Sequence, residues 1–202
     1  AALREAAGVP GGGPGPGAYE SPREFVEDLQ LVGASLRSHG ASQTADHLVQ
    51  PLLDRANLFG FHLATLDIRQ HSRRHEGAVG ELAFAAGEAD EGGYAAWTEE
   101  QKLDFLRREL RGRRLLRSPG MSFSPDTAET LELFDTVAQV HREMGEHAIQ
   151  TCVISMSDSG SDLLEVLLLA RESGLIRWDG ERLDSRIQVA PLFETRDDLV
   201  AA

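Results

Sequence analysis

Apolar residues recur at helical spacing early in the chain. Phe25, Leu29, Val32 and Leu36 lie three or four positions apart, which predicts one apolar stripe on a helix. Ser21-Pro22-Arg23-Glu24 supplies the start: a hydroxyl acceptor for a free amide, a proline at the first helical position and a glutamate where a capping box needs it. Gly40 ends it. A second helical stretch is predicted from about Ser42 to Phe59, kinked at Pro51. The pattern then changes period. Phe61 to Arg69, bounded by Gly60, alternates as a strand, with Leu63, Thr65, Asp67 and Arg69 on one side and His62, Ala64, Leu66 and Ile68 on the other. Helices are predicted after Arg69 to about Gly87, from the capping box Thr98-Glu99-Glu100-Gln101 to about Arg111, and from Ser124-Pro125 to about Met144. The last of these carries Leu131, Phe134, Val137 and Val140 as its stripe.

The final 50 or so residues read as strand, helix, strand and the start of a helix. Thr151 to Met156 is a short β-branched apolar run, Ser157 to Asp162 a polar turn and cap, Leu163 to Ser173 a helix stopped by Gly174, and Ile187 to Phe193 a third strand despite Pro191. This βαβ order makes the strands parallel. In parallel α/β folds ligands bind at the carboxyl ends of the strands, so Arg69 and Glu194 are expected on one rim, together with the Ser157–Asp162 turn. The expected fold class is α/β and mostly helical. Three strands cannot close an eight-stranded barrel, so either the sheet is open or the chain is part of a barrel enzyme.

Composition narrows the function. The chain has 202 residues, with 20 Lys+Arg against 33 Asp+Glu and a net charge of −13, which disfavours nucleic-acid binding. Most of the acidic surplus is expected on solvated helix surfaces. The single cysteine, Cys152, points to a reducing compartment and is expected in the core. No apolar run is long enough to cross a membrane, and the start of the chain has no signal-peptide core. It also lacks an initiator methionine, so the chain reads as a piece of something longer. Residues 8–18, rich in Gly and Pro, are expected as a mobile loop, and 19–202 as one partial-barrel segment.

Each candidate residue has two readings. Arg69 can hold phosphate or carboxylate in a bidentate fork, or make a structural ion pair with Asp67. Glu194 can hold a hard divalent cation, or cap a helix. His71 and His75, four apart on a predicted helix, lack the glutamate of a metalloprotease motif, and His75, with Arg74, fits better as support behind Arg69. The serines between 155 and 161 lack a nucleophile elbow and read as turn and cap residues. Trp97 and Trp178 read as packing residues.

The motifs resemble one family. Leu66-Asp67-Ile68-Arg69-Gln70-His71-Ser72-Arg73-Arg74-His75 resembles the L-D-I/V-R-Q-x-S-x-R-H segment of phosphoenolpyruvate carboxylase. Tyr94 to Trp97 with Phe105 to Leu110, Ile154 to Leu164 with Glu172 to Leu175, and Val189-Ala190-Pro191-Leu192-Phe193-Glu194-Thr195 with Asp197 to Leu199 resemble further segments of bacterial members in order and spacing. The resemblance implies an internal fragment of a large, mostly helical cytoplasmic homotetramer built around a (β/α)8 TIM-type barrel. The implied reaction, an anaplerotic fixation of carbon dioxide, joins phosphoenolpyruvate and bicarbonate to give oxaloacetate and phosphate, with Mg²⁺ or Mn²⁺ as Lewis acid. Bicarbonate attacks phosphorus, giving carboxyphosphate and an enolate.

Arg69 matches the family's substrate-phosphate arginine and Glu194 one of its two metal-binding carboxylates. The family's T-A-H-P-T-E, G-Y-S-D-S-x-K-D and G-R-G-G-x-x-G-R-G-G segments do not occur in these 202 residues, so the chain alone is expected to be inactive. The alternative is a non-catalytic scaffold or interaction fragment that keeps the fold motifs. Neither nucleic acid nor membrane is an expected partner.

Overall fold

The computed structural model describes residues 18–19, 21–90 and 93–193. The chain divides into two units, Ala1–Ala64 and Thr65–Ala202. In the first, helix α1 (Pro22–Ser38) is capped by the Ser21 hydroxyl, which accepts from the Glu24 amide. Helix α2 (Ser42–Thr44) passes through a π-helical turn, Ala45–Val49, into α3 (Gln50–Phe59). The predicted kink at Pro51 is therefore a widened turn. Proline has no N–H to give to the preceding turn, and the Gln50 amide just before it bonds to Ala45 O, five residues back. Gly33 is buried on α1, where a Cβ would stand 3.6 Å from Val49 Cγ1.

The second unit holds a three-stranded parallel sheet in the order β1-β2-β5, formed by β1 (Leu66–His71), β2 (Ile149–Ser155) and β5 (Gln188–Pro191). Between β1 and β2 run α4 (Ser72–Ala85), α5 (Glu99–Arg111) and α6 (Pro125–Met144); α7 (Gly160–Glu172) follows β2. All three strands thus keep the expected parallel sense. Their limits differ from the sequence reading. Residues 61–64 find no strand partner, and pairing starts where Leu66 meets Ile149 and runs on to His71 opposite Ser155. Arg69 therefore sits two residues inside the end of β1, and His71 is a strand residue rather than a helical one. Pro191 is tolerated against β2 because its nitrogen, which has no N–H, faces away from that strand, and the next amide, Leu192 N, continues the ladder to Ile154 O at 2.8 Å.

An antiparallel pair that the sequence reading missed, β3 (Ile176–Trp178) with β4 (Leu183–Ser185), lies between α7 and β5. Its turn is closed by Asp179, whose Oδ1 accepts from the amides of Glu181 and Arg182, each at 2.8 Å. Gly180 takes φ +112 there, a backbone that side-chain-bearing residues rarely adopt.

One face of the parallel sheet carries Ile68, Cys152 and Ile154 into the core, where they join Val79, Leu82, Phe105, Leu106, Phe134, Val137, Val166 and Leu169. Burial of each large side chain contributes roughly 1.5–3 kcal/mol. Tyr94, Trp97 and Phe105 pack with centroids 5.2–5.9 Å apart, Trp97 edge-on to Phe105 and both tilted against Tyr94. The predicted packing role of Trp97 fits this cluster, while Trp178 stacks under Arg111, 5.9 Å from its ring centre. Among the described residues no helix is long and apolar enough to cross a membrane.

Cys152 is fully buried, and burial pushes its thiol up to about 12. A thiolate is the reacting form, so native protein is expected to resist alkylation at Cys152 and denatured protein to react completely. Mass spectrometry after a timed pulse of iodoacetamide checks this.

Several acids are not on solvated surfaces. Glu109, Glu165 and Glu172 are buried. Glu172 accepts from the amides of Leu116 at 3.1 Å and Arg117 at 2.9 Å. Its neighbour Arg171 donates to the carbonyls of Gly112 and Arg114, each at 2.6 Å. Together they fasten the segment that leaves α5, which has no ladder of its own to satisfy it.

Candidate functional site

Side chains alternate along a strand, so the residues between the core-facing ones share the other sheet face. That face carries Asp67, Arg69 and His71 of β1, Thr151, Val153 and Ser155 of β2, and Gln188 and Ala190 of β5, all exposed or half-exposed. Arg69 stands beside Val153, and Val153 beside Ala190. Among the described residues Arg69 makes no ion pair, and in particular none with Asp67. An exposed guanidinium with a planar fork of donors that no carboxylate among the described residues engages in an ion pair is set up to receive an anion.

The rim above Arg69 is built from three strand ends. His71 closes β1 and caps α4, its Nδ1 accepting from the Arg73 amide at 3.2 Å. Ser72 donates from Oγ to Met156 O at 2.6 Å, tying the start of α4 to the end of β2. Met156 takes φ +53, a left-handed backbone that costs a side-chain-bearing residue about 1–2 kcal/mol. The strand turns sharply there into the Ser157–Asp162 loop. Asp162 Oδ2 accepts from the amides of Asp158 at 2.8 Å and Ser159 at 3.0 Å. Ser161 gives its amide and hydroxyl to the two carboxylate oxygens of Glu99, at 2.9 and 2.7 Å. Ser159 stands at the N-cap position of α7, but in these bonds the serines donate and the Asp162 and Glu99 carboxylates accept, while Ser155 belongs to β2. Replacing Ser72 by alanine is expected to cost about 1 kcal/mol of stability, seen as a lowered denaturation midpoint with an unchanged denaturant slope.

The remaining predicted residues are placed elsewhere. Arg74 reaches α6, donating to Asp126 at 3.2 Å and to Glu129 at 2.7 Å. His75 is fully buried, its ring centre 6.4 Å from that of Phe134, and neither ring nitrogen has a partner among the described residues. His71 and His75 do not share a helix face, because His71 belongs to the strand. Glu194 lies outside the described residues; the strand leading to it, β5, ends at Pro191 on the same rim as His71 and Ser155. Among the described residues no group of three or more His, Cys, Asp or Glu could hold a metal ion. The divalent ion that the resemblance implies is therefore given no site by them.

Behind the rim, Glu81 accepts from the amide and hydroxyl of Ser124 and from Thr127 Oγ1. Burial pushes its carboxyl up, but these hydrogen bonds outweigh it and hold it below the ordinary glutamate range. Glu81 thereby shares the capping of α6 with Ser124. Sequence reading missed this because the partners are more than 40 positions apart. It also missed His71 as a cap, since histidine is not among the favoured capping residues.

A model of the family described as phosphoenolpyruvate carboxylase matches residues 13–202. The chain belongs to the phosphoenolpyruvate carboxylase family. It is 41% identical over 186 residues to the phosphoenolpyruvate carboxylase of Roseiflexus castenholzii, covering 92% of this chain and 19% of that protein. The corresponding figures are 40% over 181 residues, 90% and 20%, for that of Chromobacterium violaceum, and 42% over 184 residues, 91% and 18%, for that of a Synechococcus species. The chain thus spans about one fifth of the length of these curated relatives. Three of the segments that carried the resemblance meet, in their described residues, at the rim above Arg69: the β1–α4 junction, the β2–α7 turn and the end of β5, while Tyr94 to Trp97 with Phe105 to Leu110 packs in and against the core.

Proposed function

We propose that the protein containing this chain carboxylates phosphoenolpyruvate with bicarbonate, giving oxaloacetate and phosphate, and that Arg69 holds the substrate's phosphoryl group. The observation that carries this reading is Arg69 itself: exposed, unpaired among the described residues, and on the face of a parallel sheet opposite its core, close to the carboxyl rim. Parallel sheets are normally covered on both faces or closed into barrels. A face that the described residues of this unit leave exposed or half-exposed, in a chain one fifth the length of its relatives, fits a (β/α)8 barrel completed by the rest of the protein, with Arg69 toward its interior.

In the reaction the phosphoryl group passes to bicarbonate, and charge shifts onto its oxygens and onto the enolate left behind. The Arg69 fork offers two parallel donors to those oxygens, an interaction that strengthens as their charge grows. It also fixes the phosphoryl group against the strand, so that the attacking oxygen meets one orientation. Glu194 is the residue proposed toward Mg²⁺ or Mn²⁺, which would supply Lewis-acid chemistry; the described residues derive no step through it. Arg74 and His75 act through the first turn of α4, the one by its ion pairs and the other by its packing. The parent is proposed as a cytoplasmic homotetramer, with this chain inactive alone.

The test is oxaloacetate formation by the full-length protein, read through malate dehydrogenase. Bicarbonate-dependent oxaloacetate and equimolar phosphate are expected. Phosphate release without oxaloacetate, or pyruvate as the sole product, overturns the reading.

A further inference from the structure

The ring of His71 is fixed by a contact that also sets its chemistry. Its Nδ1 accepts a hydrogen bond from the Arg73 amide. A nitrogen that accepts carries no proton, so the proton of the neutral ring lies on Nε2, which is left as a donor. Among the described residues Nε2 has no hydrogen-bond partner, and His71 is half-exposed. Strand alternation puts its side chain on the same face as Arg69, two residues nearer the rim, about 6.6 Å along β1. The residue across from it on β2 is Ser155. His71 thus stands on the same sheet face as Arg69, nearer the rim, with an N–H left to donate.

We propose that His71 is a further substrate-binding residue, its Nε2–H donating to an anionic oxygen of the substrate held by Arg69. This rests on the carboxylase reading above and deepens it. The backbone contact sets the ring's tautomer, so His71 enters the site as a hydrogen-bond donor. Its contribution is therefore uniform binding, which appears in KM more than in kcat.

Two replacements in the full-length enzyme separate donor from cap. Asparagine is a favoured N-cap whose side-chain oxygen stands where Nδ1 does but reaches no further. Glutamine carries an amide N–H near the reach of Nε2 and caps poorly. His71→Asn is expected to raise KM for phosphoenolpyruvate roughly 10- to 100-fold, with kcat little changed and the melting temperature kept. His71→Gln is expected to lower the melting temperature and leave KM within a few-fold of the wild type. A wild-type KM in His71→Asn, with the parent carboxylase active, overturns the role of His71 alone. A purely structural His71 gives the opposite pattern, with glutamine failing and asparagine unaffected in every parameter. A parent with no carboxylase activity overturns the reading on which this inference rests, and the inference with it.

Discussion

Replacing Arg69 by glutamine in the full-length protein is expected to lower kcat/KM for phosphoenolpyruvate by about 100- to 1,000-fold, the range seen when one donor aimed at a developing negative charge is removed. The reasoning starts from what Arg69 does not do. Among the described residues it joins no ion pair, and it faces away from the core that Ile68 enters. Its loss removes little packing and leaves no carboxylate stranded, so the thermal midpoint is expected to move by less than an ordinary core substitution moves it. Lysine is expected to recover only part of the activity, because an ammonium is a single point charge and cannot bridge two oxygens in parallel. The discriminating measurement is kcat/KM beside the melting temperature for Arg69→Gln and Arg69→Lys. A variant that melts like the wild type and turns over like it removes Arg69 from the site. A variant that unfolds shows instead that the arginine serves the sheet.

The features that can be read from the sequence are those whose cause is local. The hydroxyls at Ser21, Thr98 and Ser124 cap the helices they precede because the acceptor and the free amide lie three residues apart in the chain. The parallel sense of the three strands also follows from their order. Strand limits do not, because they depend on a partner far away. The hydrophobic alternation from Phe61 suggested a strand that begins too early, whereas pairing with β2 fixes its start at Leu66 and carries it through the polar Gln70 and His71. The β3–β4 pair escaped because each strand has only three residues, too few for a period, although Asp179-Gly180 is a turn signal in itself. At the site, Arg69 was legible as an unusual charge on a strand, and the stretch after β2 as a polar turn leading into a helix. The acids that fasten distant segments were not. Glu99, Glu172 and Glu81 satisfy amides and hydroxyls 43 to 62 positions away, and nothing next to them in sequence marks them from solvated glutamates.

The second large effect concerns two buried groups that are neutral in the folded protein. Glu165 lies wholly inside α7's packed face, with Tyr94 Oη donating to its Oε1 at 3.0 Å and Oε2 without a partner among the described residues. Burial pushes its carboxyl up to about 8, reinforced by Asp162 and Glu76 and opposed by the Tyr94 hydrogen bond and Lys102. His75 is pushed the other way, down to about 4, by burial first and then by the charges of His71 and Arg74. In the unfolded chain these groups return toward their ordinary 4.5 and 6.5.

The folded protein therefore holds the Glu165 proton that the unfolded chain releases between pH 4.5 and 8. That stabilisation is fully present below about pH 4.5 and is lost as pH rises to about 8. For His75 the unfolded chain binds the extra proton, so its contribution is present above about pH 6.5 and is lost as pH falls toward 4. Between pH 4.5 and 6.5 the two slopes, each about 1.4 kcal/mol per pH unit, oppose each other. Above pH 6.5 only Glu165 still titrates between the states, and stability is expected to fall by about 2 kcal/mol on going to pH 8.

Glutamine at 165 keeps the acceptor for Tyr94 and removes the proton. Glu165→Gln is thus expected to flatten the decline above pH 6.5 and to uncover the His75 slope, with stability rising from pH 4 to 6.5. Melting temperatures of the two proteins from pH 4 to 9 decide it. Curves that run parallel across the whole range would mean that Glu165 is charged in the folded state, and that its carboxylate is paired more strongly than its single hydrogen bond from Tyr94 allows.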